Sequence, residues 1–149
     1  MLISQNGIQF IKSNEGLSLV VYGDVGHPAI GHGHDLTAAE ITSGVYANGI
    51  DEATADDLLS QDVLKIENEL NSLMPQIVPE SCTQNQFDAL CDFGYNLGVT
   101  ALYTMLNHGW SEVPVQMLRW DNVQGKPNAA ILARRQAEVQ LFNTPITST

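Results

Sequence analysis

The chain has 149 residues, of which 44% are hydrophobic and 15% charged, and its formal net charge is −11. This composition excludes a disordered chain and predicts one soluble globular domain. The excess of acid argues against general affinity for nucleic acid or anionic membranes. No apolar run approaches the roughly 20 residues of a membrane span, so we expect no membrane insertion. Residues 1–10 lack the pattern of a secretory signal.

The first predicted element is a short helix. Ser4 is a suitable N-cap, Ile8 and Ile11 share a face, and Gly16 stands where the helix would end. Glu15 therefore falls in the last helical turn. Residues 17–30 then become β-branched and rich in turn residues, which predicts a small hairpin or meander. This is the only β region that the sequence predicts.

The remaining chain reads as helical. A short helix is predicted from Thr37, and Asp51 is a suitable cap for a long helix over about 52–73 that ends before Pro75. Thr83 and Gln86 form a capping-box pattern at the start of another helix. Three further helices are predicted near residues 100–108, 112–120 and 128–143.

These elements predict an α+β, mostly helical architecture within a single domain, 1–149. A small lobe covers about 14–50, a connecting helix about 52–73, and a helical lobe about 80–145 together with the N-terminal helix; we expect a cleft between the lobes. Cys82 precedes a helix that contains Cys91, so their separation along it is roughly 12 Å, beyond the ~7 Å limit for a disulfide. Two free thiols are predicted.

Glu15 and Asp24 form the main candidate for chemistry. The negative end of a helix favours the neutral, proton-donating form of a carboxyl, whereas Asp24 in an open polar turn stays ionised more easily. Two carboxyls in different protonation states are what glycoside hydrolysis requires. Taken alone the pair is weak evidence, because a helix-end Glu and a turn Asp are common structural features.

Ordered motifs along the chain strengthen this interpretation. In the first half they are Asn14-Glu15-Gly16-Leu17, Tyr22-Gly23-Asp24 and Ala29-Ile30-Gly31-His32-Gly33-His34. In the second half they are Gln86-Phe87-Asp88-Ala89-Leu90, Tyr95-Asn96-Leu97-Gly98, Trp120, Gly125, the run from Leu132 to Glu138, and Leu141-Phe142. Together they resemble, in order and over nearly the whole chain, the motifs of phage T4-type lysozymes, glycoside hydrolase family 24. The resemblance implies a lysozyme-like fold.

The resemblance also implies site residues. Glu15 corresponds to the general acid, and Asp24 to the residue that helps to position the attacking water in an inverting cleavage between N-acetylmuramic acid and N-acetylglucosamine. Arg134 matches an arginine close to the catalytic Glu, and the alternative is a solvated helix face. His34 matches a structural histidine that pairs with an acid on the long helix. No metal or cofactor is implied.

One residue departs from the family pattern. Ala29 stands where the family usually has a Thr whose hydroxyl helps to hold the water. His27 or His32 are candidates to take over that role, or the chain is weakly active. The three histidines with Asp24 also suggest a metal site, because His32 and His34 share a face in extended structure. Packing or solvent contact is the simpler alternative for them.

The leading functional hypothesis is thus a peptidoglycan hydrolase of the lysozyme, or muramidase, class that lyses bacteria. The alternatives are a lytic transglycosylase acting on the same bond and a catalytically weak peptidoglycan-binding relative. Bacterial peptidoglycan is the expected partner, and a monomer is the expected state. A phage-encoded enzyme would reach the wall from the host cytoplasm through the periplasm, and a mature secreted form would act extracellularly.

Overall fold

The computed structural model of the protein describes residues 1–23 and 26–146. Its helices are α1 Gln5–Glu15, α2 Ala38–Ser43, α3 Glu52–Ser72, α4 Gln84–Leu97, α5 Val99–Leu106, α6 Val113–Met117 and α7 Ala129–Asn143. Its strands are β1 Ser18–Tyr22, β2 Ala29–Gly31, β3 His34–Asp35, β4 Asn122–Val123 and β5 Lys126–Pro127. The mostly helical α+β class expected from the sequence is confirmed.

The helix starts follow the predicted capping residues. The Gly7 N–H donates to Ser4 Oγ at 3.1 Å at the start of α1, and the Thr54 N–H donates to Asp51 Oδ1 at 2.8 Å at the start of α3. Thr83 and Gln86 form the predicted capping box before α4. These caps satisfy backbone donors that the first helical turn leaves unpaired, so each fixes a helix boundary locally.

The expectation of a single β region is wrong, because β4 and β5 form a second antiparallel hairpin. Its strands have two residues each, too short to show an alternating hydrophobic pattern. Gln124 and Gly125 connect them with positive φ angles of 50° and 76°. Two such residues are typical of a tight hairpin turn.

Two compact units divide the chain, and the first covers Lys12–Leu64. Its three-stranded antiparallel sheet has the order β1-β2-β3. Gly31 lies against α3: a Cβ on this residue would stand 3.3 Å from the Cβ of Ala55. Glycine at this position thus allows β2 to approach the helix closely.

The second unit comprises Met1–Ile11 and Lys65–Thr149. Its hydrophobic core is formed mainly by α4 and the helices that pack around it, with α7 making the most extensive contact. The largest fully buried apolar side chains of this core are Phe87, Phe93, Leu70, Leu90, Leu102, Met105, Leu106 and Met117. Their burial removes apolar surface from water, which is the dominant favourable contribution to folding.

Both cysteines are free and buried, which confirms the prediction of two thiols. Burial raises the pKa of Cys82 to about 11 and raises that of Cys91 still further. Both groups are therefore neutral, packing thiols at physiological pH. Of the helices described, none combines the length and the apolar character that a membrane crossing needs.

Candidate active site

Glu15 is the last residue of α1 and is half-buried. The helix ends there because Gly16 adopts a positive φ of 74°, and the Gly16 N–H donates to the carbonyl of Lys12 at 3.0 Å. A side chain at position 16 would strain this backbone, which explains the glycine after the candidate acid. The predicted location of Glu15 in the last turn of the helix is what the structure has.

Asp24, the second predicted carboxylate, lies outside the described residues, as does Val25. Before them, Gly23 has a φ of 94°, and a Cβ there would lie 2.5 Å from the His27 carbonyl oxygen. Only glycine therefore fits the turn at this point. His27, two residues after Val25, is exposed. Its role in holding water stays a prediction.

Tyr22 ends β1, and sequence reasoning assigned it no role. Burial raises the pKa of its phenol, and the negative charges of Glu15 and Asp35 raise it further. The phenol therefore stays neutral and lies within electrostatic range of the candidate acid. Its place directly before Gly23-Asp24 in the motif was the signal that could have identified it.

Ala29 begins β2 and is 7% exposed. Its backbone pairs with Tyr22 on one side and with Asp35 on the other. The residue is thus held in the middle strand of the sheet, opposite the end of β1. Its methyl side chain cannot form a hydrogen bond with a water molecule.

His32 is buried just after β2, and both of its ring nitrogens have protein partners. Nδ1 contacts the carbonyl oxygen of Gly16, and Nε2 lies 3.3 Å from Asp56 Oδ1. The same Oδ1 accepts an ion pair from Lys12 Nζ at 2.6 Å. Hydrogen bonding by Lys12 lowers the pKa of Asp56, and His32 contributes in the same direction.

His34 is buried in β3 between two carboxylates. Its Nδ1 lies 2.6 Å from Asp62 Oδ2, and its Nε2 lies 3.2 Å from Glu40 Oε1. Asp62 belongs to α3, so the predicted pairing with an acid on the long helix is confirmed. Tyr46 packs edge-on against the imidazole, with the ring centroids 6.5 Å apart.

Arg134 and Arg135 are buried rather than solvated. Arg134 binds Asp92 through two hydrogen bonds, of 2.9 Å from Nε and 2.8 Å from Nη2. Arg135 Nη2 lies 2.5 Å from Glu138 Oε1. Burial raises the pKa of Glu138 and Asp92 raises it further, against the lowering effect of Arg135 and Arg134. The partnership of Arg134 with Glu15 stays a prediction.

Within residues 1–23 and 26–146, no group of three or more His, Cys, Asp or Glu side chains is arranged to hold a metal ion. His32 and His34 bind different acids, Asp56 and Asp62, instead of converging on one point. Pairing with carboxylates thus accounts for the buried histidines His32 and His34.

Comparisons with known proteins agree on one family. A model of the phage lysozyme family matches residues 12–138. The endolysin of Bacillus phage PZA is 36% identical over 156 residues, covering 97% of this chain and 56% of that protein. The endolysin of Acyrthosiphon pisum secondary endosymbiont phage 1 is 33% identical over 157 residues, covering 97% of this chain and 99% of that protein. The solved muramidase domain of SpmX from Asticaccaulis excentricus is 31% identical, with a TM-score of 0.75, covering 96% and 98% of the two chains.

This chain belongs to the phage lysozyme family. The family resemblance and the lysozyme-like fold expected from the sequence are confirmed. The chain spans only 56% of the Bacillus phage endolysin but nearly all of the endosymbiont phage relative.

The sequence reasoning assigned no role to five acids that contact the chain's buried histidines and arginines, the first of which is Glu40 on α2. Asp56 and Asp62 lie on one helix, six positions apart, whereas Asp92 and Glu138 lie on two helices. The signal for Asp92 was an acid inside an otherwise apolar helical stretch, because a buried carboxylate requires a partner. Its partner Arg134 is 42 residues away, a distance over which no local pattern could connect them.

Proposed function

We propose that this chain hydrolyses the β-1,4 bond between N-acetylmuramic acid and N-acetylglucosamine in bacterial peptidoglycan and so degrades the cell wall. The observation that carries the proposal is the family match over residues 12–138, which includes every candidate site residue. The family match favours hydrolysis over the transglycosylase alternative.

In this proposal Glu15 is the general acid. Its carboxyl proton passes to the glycosidic oxygen as the bond to the sugar's anomeric carbon breaks, which releases N-acetylglucosamine with a free hydroxyl. Asp24 directs a water molecule to the anomeric carbon and accepts its proton, giving inversion at that carbon. The position of Glu15 at the end of a helix, half-buried and followed by Gly16, supports the role of a fixed proton donor.

The supporting residues act on the framework of the site. We propose that His34 holds Asp62 and Glu40 together and so stabilises the segment around β3. Arg134, neutralised in part by Asp92, is proposed to orient the Glu15 carboxyl. We also propose that the enzyme acts on peptidoglycan as a monomer, without a metal or cofactor.

The test is a digest of purified peptidoglycan analysed by mass spectrometry, with Glu15→Gln as the decisive variant. The amide keeps the shape of the side chain but donates no acid proton, so we expect the rate to fall at least ~10²-fold while circular dichroism is unchanged. Glu15→Asp is the matched control: it keeps the acid and moves it, so a weak residual rate is expected.

The products distinguish the alternatives. Reducing N-acetylmuramic ends support hydrolysis, whereas 1,6-anhydro ends would identify a transglycosylase. A rate above about a tenth of the wild-type value for Glu15→Gln would exclude Glu15 as the acid. Binding to peptidoglycan with no turnover by the wild-type chain would identify a binding relative instead.

A further inference from the structure

We infer that His32 is a positioning residue for Glu15, holding the last turn of α1 in place through its contact with the Gly16 carbonyl. This inference rests on the proposed function, in which Glu15 donates the proton. It assigns His32 to the acid half of the reaction rather than to the water.

The backbone of Gly16 is hydrogen-bonded at both its N–H and its carbonyl. Its N–H donates to the Lys12 carbonyl at 3.0 Å, and its own carbonyl accepts from His32 Nδ1. Both backbone polar groups of the residue directly after Glu15 are thereby fixed. One bond comes from within the helix, and the other comes from a side chain of the sheet region.

Asp56 connects His32 to α1 and α3. Its Oδ1 lies 3.3 Å from His32 Nε2 and 2.6 Å from Lys12 Nζ. Lys12 precedes Glu15 by three positions on α1. The last turn of α1 is therefore held at two points, by the Lys12 ammonium on Asp56 and by the Gly16 carbonyl on His32.

The hydrogen-bonding capacity of imidazole decides what His32 does. A carbonyl oxygen only accepts, so Nδ1 must carry the hydrogen toward Gly16. A doubly protonated ring donates to Asp56 as well, whereas a neutral ring keeps the Gly16 bond alone. Both nitrogens face protein atoms and the side chain is only 7% exposed, which makes His32 part of the framework and not a water ligand.

The consequence for catalysis is geometric. A general acid must lie within hydrogen-bond distance of the oxygen that it protonates, and a displacement of about 1 Å can reduce the rate ~10²-fold. Releasing the Gly16 carbonyl frees the peptide next to Glu15. We therefore expect a loss in kcat with little change in KM.

Two amide variants separate the two bonds of His32. The amide nitrogen of His32→Asn takes the place of Nδ1 and can donate to the Gly16 carbonyl, whereas that of His32→Gln takes the place of Nε2 and reaches toward Asp56. We expect His32→Gln to lower kcat roughly ten- to a hundredfold with KM within about twofold, and His32→Asn to retain most of kcat. His108→Asn, at an exposed histidine, is the control.

The contribution of Asp56 has its own matched pair. Asp56→Asn removes the charge that holds Lys12 and His32, and Asp57→Asn removes the same charge at the next, more exposed position. We expect kcat to fall about three- to tenfold in the first variant, which keeps an oxygen acceptor, and to be unchanged in the second. Equal effects in both variants would mean that net charge, not positioning, is responsible.

Nuclear magnetic resonance detects the hydrogen bond between His32 Nδ1 and the Gly16 carbonyl independently of activity. The imidazole nitrogen shifts report whether Nδ1 is protonated, and the carbonyl carbon shift of Gly16 reports its hydrogen bond. We expect a protonated Nδ1 and a Gly16 shift that moves in His32→Gln but not in His32→Asn. An unprotonated Nδ1, or wild-type kcat in His32→Gln while Glu15→Gln is inactive, would overturn the inference. An active Glu15→Gln variant would instead refute the role of Glu15 as the acid in the proposed function.

Discussion

At the scale of single residues, the backbone conformations of two glycines constrain the candidate site. Gly16 ends α1 directly after the candidate acid, and Gly23 admits no side chain in the turn before Asp24. The backbone directly after Glu15 and directly before Asp24 is thus constrained before any substrate binds. Such preorganisation is what proton transfer to a sugar oxygen requires.

Ala29 gives the first prediction at this scale. If the hydroxyl of the family's Thr holds the water, Ala29→Thr restores it opposite the end of β1, and we expect turnover to rise with KM little changed. Ala29→Val is the matched control, because it adds the same volume without a hydroxyl. Steady-state kinetics on soluble peptidoglycan fragments measures both variants.

The double variant with Asp24→Asn sharpens this test. Two groups that hold one water molecule give strongly non-additive effects on the rate. Additive effects would mean that position 29 and Asp24 act on separate steps. A gain shared by Ala29→Val would show that packing in the buried β2 strand, and not a hydroxyl, limits the rate.

At the scale of elements, α2 is capped by a carboxylate that also faces the buried histidine. Glu40 accepts from the Thr37 N–H at 2.7 Å and lies 3.2 Å from His34 Nε2. Hydrogen bonds from Thr37 are the main cause that lowers the pKa of Glu40 from its ordinary value of 4.5 to about 2, and His34 adds to the effect. A carboxyl whose pKa is lower in the folded than in the unfolded state stabilises the fold at pH values above its unfolded pKa.

The pH dependence of stability follows from that sign. Above pH 4.5 the stabilisation by Glu40 is fully present, and it is lost as the pH falls through the folded pKa near 2. Glu40→Gln keeps a capping oxygen but removes the charge, so we expect a loss below about 1 kcal/mol at pH 6 and a flatter acid slope. Urea unfolding at several pH values measures it, with exposed Glu80→Gln as control. An unchanged slope between pH 4.5 and 2 would contradict the assignment.

The pairing of α4 with α7 gives a second prediction for elements. Asp92 carries the bidentate bond of Arg134, and burial together with Asp92 raises the pKa of Glu138 against the lowering effect of Arg135 and Arg134. Asp92→Asn leaves a buried guanidinium without its counter-charge and should cost about 3–5 kcal/mol in the free energy of unfolding. Glu138→Gln tests the effect of that raised pKa, because an amide has the shape of the protonated carboxyl.

We expect Glu138→Gln to change the free energy of unfolding by less than about 1 kcal/mol at pH 7. Denaturant titration of both variants provides the comparison. Equal, large losses would indicate that Glu138 is ionised in its pair with Arg135. The two variants therefore distinguish a protonated Glu138 beside Asp92 from two ion pairs, Asp92 with Arg134 and Glu138 with Arg135.

The sequence predicted those features whose cause is local. Ser4, Asp51 and Thr83 cap helices because their side chains bond backbone donors three residues ahead, so both partners are close together in the sequence. Glu15 was found in the same way, from the Gly16 that ends its helix. The contacts of Asp92 with Arg134 and of His32 with Asp56 join residues that are far apart in the sequence, so no local pattern predicts them.

The β4–β5 hairpin was missed for a different reason. With two residues in each strand, its turn residues Gln124 and Gly125 decide its formation, and Gln is an uncommon residue at positive φ. For the two arginines, the alternative interpretation of a solvated helix face is wrong. Asp92 and Asn96 on α4 bind Arg134 and Arg135, and both arginines are buried.

At the scale of the whole molecule, charge governs how the protein meets its proposed substrate. The formal net charge is −11, and two of the six basic side chains, Arg134 and Arg135, are buried in pairs. Even with four acids also buried, the exposed acids outnumber the exposed bases. Bacterial walls are largely anionic, so long-range repulsion should slow the approach of the enzyme at low ionic strength.

Salt shortens the reach of that repulsion, to a Debye length near 10 Å at about 0.1 M. We therefore expect lysis of intact cells to accelerate from very low to moderate salt, and to be favoured at mildly acidic pH, where the net negative charge decreases. Turbidity assays over a salt series measure the first effect. Cleavage of a short soluble peptidoglycan fragment under the same conditions is the control, because it carries far less charge than an intact wall and should show much less acceleration. Charge reversal at exposed Asp57, by Asp57→Lys, should weaken the salt response on cells without changing the control rate. A steady decline of lysis with added salt would mean that a local attraction, not the net charge, controls the encounter with the wall.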